Sequence, residues 1–281
     1  MSNPVLTPKA FERAATEDRA GWAAPGRSGA PGAPSPWQQP SAPPIDDGPI
    51  SPWTTSRMTL DGTVHATLAL FALLLAGAFV GWLAVGSNDR GEVTSFPGWL
   101  IVALLGGLGL AFYTAFRPRH ARYTAPAYAL VEGLVVGAIS HVYESLYDGI
   151  VVQAALATAG VFAAMLFLYS QRIVRVTDRL RRGIVAATFG VLAVYLVGFV
   201  ASLFGSGLSF INSPSLLGIG FSVVVAGIAA FNLLLDFDFI ERGSEAGAPA
   251  YMNWYGAFGL LVTVVWLYLE LLRLLSKLQR R

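Results

Sequence analysis

The sequence predicts an all-α membrane protein: a polytopic bundle of seven transmembrane helices. Apolar residues make up 54% of the 281 residues and charged residues only 13%, whereas soluble domains carry about 25% charged residues. From Arg57 onward, apolar runs of about 20 residues, long enough to cross a bilayer, recur along the chain. The 30 glycines agree with this class, because small residues let spanning helices approach closely.

Residues 1–56 form a predicted disordered, Pro-rich tail, and residues 57–281 form the predicted membrane domain. The tail contains 11 of the 16 prolines. A segment of this composition cannot bury enough apolar surface to offset the entropy cost of ordering it. The chain has no cysteine, which excludes disulfides, thiolate catalysis and Cys-ligated metal sites.

The connections between the apolar runs are compact and leave no room for a soluble domain. The Gly and Ala rows of the fourth and sixth runs are typical of close helix packing and not of nucleotide-binding loops, since no strand precedes them. The seven predicted spans are 63–86, 98–116, 126–144, 149–170, 184–205, 214–235 and 253–275.

Arginine distribution predicts the orientation of the bundle. Eight arginines lie in the second and fourth loops, one in the first loop and none in the third or fifth. Short basic loops stay in the cytoplasm, so the tail and the even-numbered loops are predicted to be cytoplasmic. An odd number of spans then places the basic end "RLLSKLQRR" outside, against the same rule. Either the last segment re-enters the membrane, or the rest of the bundle fixes the orientation before the last span inserts, and we favour the second explanation.

Four of the acidic residues inside or next to the spans are candidates for chemistry, because an ionisable group at membrane depth usually has a function. Glu132 is in the third span, Asp236 and Asp238 end the sixth, and Glu270 is in the seventh. The alternatives are that Asp238 is a solvated interface acid and that Glu270 forms a local ion pair with Arg273 at i+3. Two carboxylates that met in the bundle would share a proton, and a pH change or a calcium ion would split them.

The seven-span frame, "EGLVVGAIS" in the third span, "LLLDFDFI" at the end of the sixth and "GLLVTVVWLYLELLRLLS" in the seventh together resemble the Bax inhibitor-1 family. The likeness is greatest to bacterial members of the actinobacterial type and covers residues 57–279. It implies six helices around a central seventh, and a pH-sensitive calcium leak channel gated by an acidic pair.

The resemblance assigns the pH-sensing and gating pair to Asp236 and Glu270, with a possible Ca²⁺ ion at these two residues and no certain metal site. Glu270 replaces the aspartate of many members and is one methylene longer. Asp238, where the family has an uncharged residue, is an additional acid at the cytoplasmic mouth, and Glu132 is a further auxiliary acid.

The leading hypothesis is therefore a pH-sensitive calcium leak channel of the cell membrane with a cytoplasmic N-terminus. The alternative is a non-conducting regulator that binds a membrane protease or another integral protein. The sequence contains no Ser-His or His-Asp grouping typical of an enzyme, and we expect no cofactor besides calcium as permeant or bound ion. The expected partners are membrane lipid, calcium and the integral protein of the alternative, with no nucleic acid.

Overall fold

The computed structural model describes residues 57–87, 93–95, 97–205 and 213–280, and in this part of the chain seven long helices form. Each is long and apolar enough to cross a membrane by length and composition, which confirms the predicted fold class. The predicted tail, residues 1–56, lies outside the described residues. The helices are α1 Leu60–Ala84, α2 Trp99–Phe116, α3 Ala121–Leu146, α4 Ile150–Ser170, α5 Asp178–Leu203, α6 Leu216–Glu245 and α7 Tyr251–Gln279.

Two minor elements join the first three helices. Strands β1, Gly86–Ser87, and β2, Val93–Ser95, pair antiparallel after α1. A 3₁₀ turn, Pro118–His120, leads from α2 into α3. Both are short connections, so the bundle itself is helical.

Several helices extend beyond the predicted spans, because apolar runs indicate membrane thickness and not helix ends. The sixth span was predicted to end at residue 235, but α6 continues to Glu245. Asp236 and Asp238 are therefore helical residues and do not belong to the following loop. Three helices begin at a Ser or Thr whose hydroxyl accepts a backbone N–H of the first turn, as expected at helix N-termini: Thr59, Thr177 and Ser215.

The closest helix contact joins α1 and α3, where glycines face each other's backbones. Gly77 and Gly81 of α1 and Gly133 and Gly137 of α3 form this contact, which we call the glycine seam. A Cβ atom on Gly137 would lie 1.9 Å from the Ala78 carbonyl oxygen, and one on Gly81 would lie 2.0 Å from that of Leu134. Only glycine permits such an approach, the pattern known from small-xxx-small helix pairs.

The predicted packing rows of the fourth and sixth spans are only partly correct. Some of their alanines are buried in the bundle, among them Ala154 of α4 and Ala229 of α6, but others, such as Ala155 and Ala159 of α4, are exposed. Their glycines differ in the same way: Gly218 of α6 is buried, whereas a Cβ atom on Gly160, Gly220 or Gly227 would meet nothing within 4 Å. Composition alone could not distinguish the glycines that face a neighbour from those on the outer surface of the bundle.

Helix α7 has four extensive neighbours, α1, α3, α4 and α6. The largest interface of α2 is with α3, and that of α5 is with α6. The predicted enclosure of α7 by all six other helices is therefore not confirmed.

Successive connections between helices lie at alternating ends of the bundle, as in an up-and-down arrangement. At the end that carries the even-numbered loops, which we call the even-loop end, the Met58 amide donates to the Ala248 carbonyl at 2.6 Å. At the opposite, odd-loop end, Arg280 Nε donates to the Tyr147 hydroxyl at 2.6 Å. The start of α1 and the end of α7 therefore lie at opposite ends, as the odd number of spans predicts.

Candidate functional site

Asp236 lies in α6 at the contact with α7, which we call the α6–α7 seam. Its Oδ2 atom is buried and has no hydrogen-bond partner among the residues that the structure describes. On α7, a Cβ atom at Gly259 would be 3.7 Å from Asp236 Oδ1, and the Thr263 hydroxyl faces the carboxyl group. That hydroxyl donates to the Gly259 carbonyl at 3.2 Å. Asp236 is thus a carboxylate inside the bundle with an unused oxygen, beside a position without a side chain.

Asp238, one residue beyond Phe237, has a different environment. Its side chain is 9% exposed, and both oxygens are bonded to arginines: Arg181 Nη2 of α5 at 2.5 Å and Arg242 Nε of α6 at 2.9 Å. Asp238 was predicted to lie at the cytoplasmic mouth, with a solvated interface acid as the alternative. It lies near the even-loop end, but it is buried and holds the start of α5 against α6.

Glu270 of α7 is also inside the bundle, with a side chain 2% exposed. The Tyr195 hydroxyl of α5 donates to its carboxylate, at 2.9 Å from Oε2 and 3.1 Å from Oε1. Arg273 Nη1 lies 3.1 Å from Oε2 and also donates to the Tyr195 oxygen. The local ion pair with Arg273 does form, and Tyr195 extends it into a network between two helices.

Asp236 and Glu270 lie at two different levels of the α6–α7 seam. Because the two helices are antiparallel, Asp236 is level with Gly259, and Gly218 with Lys277. On this register Glu270 is level with Val225, about eleven residues before Asp236 and therefore about 16 Å away along the axis. No hydrogen bond joins the two carboxyl groups in the described part of the chain, so the structure does not bring the predicted pair into contact.

One calcium ion could not bind both carboxylates in this arrangement, because Ca²⁺–oxygen distances are only about 2.3–2.6 Å. Among the described residues, no three His, Cys, Asp or Glu side chains form a group that could hold a metal ion.

Glu132, the other auxiliary acid, is not part of the seam. It lies between α3 and α2, where a Cβ atom on Gly107 would be 3.4 Å from its Oε2, and Tyr128 is a neighbour on its own helix.

Sequence reasoning missed Lys277. Its side chain is buried, and Nζ donates to the Gly218 carbonyl at 2.9 Å and to Ser222 Oγ at 2.7 Å. The sequence places Lys277 near the end of the last span, where a lysine is expected to reach the polar interface. The spacing of Glu270, Arg273 and Lys277, at i, i+3 and i+7, is the signal that places all three on one helix face.

The burial of Lys277 also bears on the basic C-terminus, which conflicts with the orientation predicted from loop charge. Lys277 bonds to α6, Arg273 to Glu270 and Arg280 to Tyr147. Lys277 and Arg273 are held by these contacts at buried or half-buried positions, so they are not comparable to free charges in a loop, whereas Arg280 is exposed.

Comparison with known proteins agrees with the resemblance read from the motifs. None of the curated proteins compared with the chain matches it. The family model described as "Bax inhibitor 1 like" matches residues 3–280, and so includes most of the N-terminal tail that the motifs left unexplained. Since the match covers nearly the whole chain, this membrane protein, whose described residues form seven helices of spanning length, belongs to the Bax inhibitor-1-like family.

Proposed function

We propose that the protein is a passive calcium leak pathway of the plasma membrane, with its N-terminus in the cytoplasm, and that protonation of Asp236 and Glu270 controls it. The observation that carries the proposal is the Asp236 carboxylate. Within the described part of the chain, it has a buried oxygen without a partner, in a membrane bundle where an unpaired acid is costly and is retained for a function. Carboxylate oxygens are the ligands that calcium prefers.

The separation of the two acids changes the mechanism from a contact pair to two acidic positions in series. A calcium ion that entered from the even-loop end would first meet Asp236, beside Gly259. Glu270 is the next acid along the α6–α7 seam. In the arrangement described, Arg273 neutralises it and Tyr195 occupies its oxygens, so it offers no free ligand. This is the arrangement of a closed pathway.

Opening would then require Glu270 to separate from Arg273 and Tyr195. Protonation acts on this step because a neutral Glu270 loses its charge attraction to Arg273. At Asp236, protonation removes the charge that attracts the cation. Both residues thus give the flux a pH dependence, one through the closed network and the other through ion binding.

The test is calcium flux into liposomes that contain the purified full-length protein, measured at several pH values. Asp236→Asn and Glu270→Gln keep the side-chain size but cannot titrate. We expect each variant to change the flux and to remove part of its pH dependence. Glu132→Gln is the matched control, since it makes the same change in a membrane helix away from the α6–α7 seam.

Two outcomes would contradict the channel proposal. One is the absence of calcium flux in the unaltered protein at every pH. The other is a flux whose size and pH dependence are the same in Asp236→Asn, Glu270→Gln and Glu132→Gln. A protein that does not conduct but co-purifies with an integral membrane protease through its tail would favour the regulator hypothesis instead.

A further inference from the structure

A cavity of about 430 Å³ opens at the even-loop end of the bundle. This volume is within the range of about 300–1,000 Å³ that is typical of small-molecule sites. The cavity lies apart from Asp236 and Glu270, and the proposed pathway does not use it. We call it the arginine pocket, and it is lined by Arg181, Val185, Leu235, Phe239, Arg242 and Met252 together with Gly243.

The two arginines of the pocket are only partly occupied by protein partners. Each guanidinium has five N–H groups. Within the described residues, Arg181 bonds only to Asp238, while Arg242 bonds to Asp238 and, at 3.5 Å, to the Val176 carbonyl. Their side chains are 43% and 55% exposed. Most of their donors therefore remain free to bind an anion.

The charge at the pocket is positive. Asp238 neutralises only one of the two guanidinium groups, which leaves a single excess positive charge at the rim. The surrounding segments, residues 172–182 and 238–245, contain six arginines and four acidic residues. An anion with one negative charge would balance the rim without displacing Asp238.

The walls of the pocket indicate an amphiphile and not a soluble anion. Arg242 lies in the last turn of α6, and Leu235 lies seven residues earlier, about 10 Å deeper along the helix. Val185 and Phe239 are each 40% exposed on helices that cross the membrane. A ligand would thus meet positive charge at headgroup depth and apolar side chains at acyl-chain depth.

We propose that the arginine pocket binds an anionic phospholipid, with the phosphate between Arg181 and Arg242 and an acyl chain along Val185, Leu235 and Phe239. Paired N–H groups of arginine suit phosphate oxygens in number and geometry. The family match says nothing of such a site, and the proposal does not depend on whether the protein conducts calcium.

The test uses the full-length protein in mild detergent, titrated with phosphatidylglycerol or with phosphatidylcholine of the same acyl chains, with bound lipid counted by native mass spectrometry. We expect phosphatidylglycerol to bind on the order of tenfold more tightly. Arg181→Gln and Arg242→Gln should each weaken its binding on the order of tenfold, through loss of a charge-assisted contact. Arg182→Gln is the matched control, because this neighbouring arginine is exposed and does not line the pocket.

A second variant tests the walls without touching the charge. Val185→Trp adds bulk at the pocket wall and leaves both arginines and Asp238 in place, so it should weaken phosphatidylglycerol binding while the melting temperature is unchanged. This variant decides the question if the arginine variants fail to fold.

Three results would overturn the proposal. The first is equal binding of the two lipids, which would indicate only annular lipid. The second is an equal effect of Arg182→Gln and Arg181→Gln, which would indicate general attraction to a basic loop. The third is that millimolar inorganic phosphate displaces phosphatidylglycerol while Val185→Trp still binds this lipid as tightly as the unaltered protein does. That result would identify the ligand as a soluble anion.

Discussion

The glycine seam and the α6–α7 seam join helix pairs in opposite ways. In the glycine seam, α1 and α3 touch through backbone atoms at Gly77, Gly81, Gly133 and Gly137. The α6–α7 seam instead contains charged side chains such as Asp236 and Lys277. The glycine seam is stabilised by close van der Waals packing alone. The interactions of the α6–α7 seam must instead offset the free-energy cost of taking charges out of water.

This difference indicates which part of the molecule can change shape. The glycine seam has no side-chain atoms that could rearrange, so it either forms or fails. The charged groups near the α6–α7 seam are held by side-chain contacts that can exchange: Arg273 bonds to both Glu270 and Tyr195 and could keep one partner while it releases the other. We therefore expect conformational change at the α6–α7 seam, with α1 and α3 as the fixed half of the bundle.

The largest expected effect comes from breaking the glycine seam. Gly137→Leu places a side chain where a Cβ atom alone would be 1.9 Å from a backbone oxygen, so the helices must separate. We expect a loss of stability of at least about 3 kcal/mol, seen as loss of monodisperse protein or a large fall in melting temperature in detergent. Gly160→Leu, where a Cβ atom meets nothing within 4 Å, should behave like the unaltered protein. Similar behaviour of the two variants would contradict the close contact.

An intermediate effect is expected from breaking the ion pair at Glu270. Arg273→Gln leaves a buried carboxylate with Tyr195 as its remaining partner, and breaking one side of a buried pair costs about 3 kcal/mol. Thermal unfolding in detergent should show this loss. The double variant Arg273→Gln with Glu270→Gln should be more stable than Arg273→Gln alone, since no charge is then left unpaired. A double variant as unstable as the sum of the two single variants would show that the residues do not interact.

The smallest effect is expected at Tyr195. Tyr195→Phe keeps the ring over Arg273 but removes the hydroxyl that donates to Glu270 and accepts from Arg273. A hydrogen bond in a membrane bundle is worth about 0.6–1 kcal/mol. The expected result is a small decrease in melting temperature. Tyr123→Phe, at a side chain 74% exposed, should cause no decrease. If the two variants melt alike, Tyr195 contributes nothing to holding Glu270.

The membrane class, the helix count and the presence of acids in the sixth and seventh helices were predictable from the sequence. Each depends on a local property, because a membrane helix needs about 20 apolar residues in a row and an acid within such a run is visible at once. The motifs at Asp236 and Glu270 also indicated the family correctly. Helix ends such as Glu245 were less predictable, since the helix continues after the hydropathy falls.

Partners across helices were decided only by the tertiary structure. The sequence gives no register between α6 and α7, so it could not show that Asp236 is level with Gly259 and about 16 Å from Glu270 along the axis. For the same reason, nothing marked Tyr195 as the partner of Glu270 or Arg181 as the partner of Asp238. The burial pattern of a helix can be read from its own sequence. A contact between two helices depends also on how each is rotated and on how far one is shifted along the other.

The sequence by itself determined that this chain crosses a membrane seven times and carries acids in its sixth and seventh helices, because hydropathy and charge are properties of each segment alone. The tertiary structure decided which acid is free and which is neutralised. Asp236 and Asp238 are only two residues apart, yet they lie on different sides of α6, one facing Gly259 and the other facing Arg181. Each residue advances the helix by about 100°, so acids two residues apart point to different sides of it. Only the packing of the helices determines which residues they meet there.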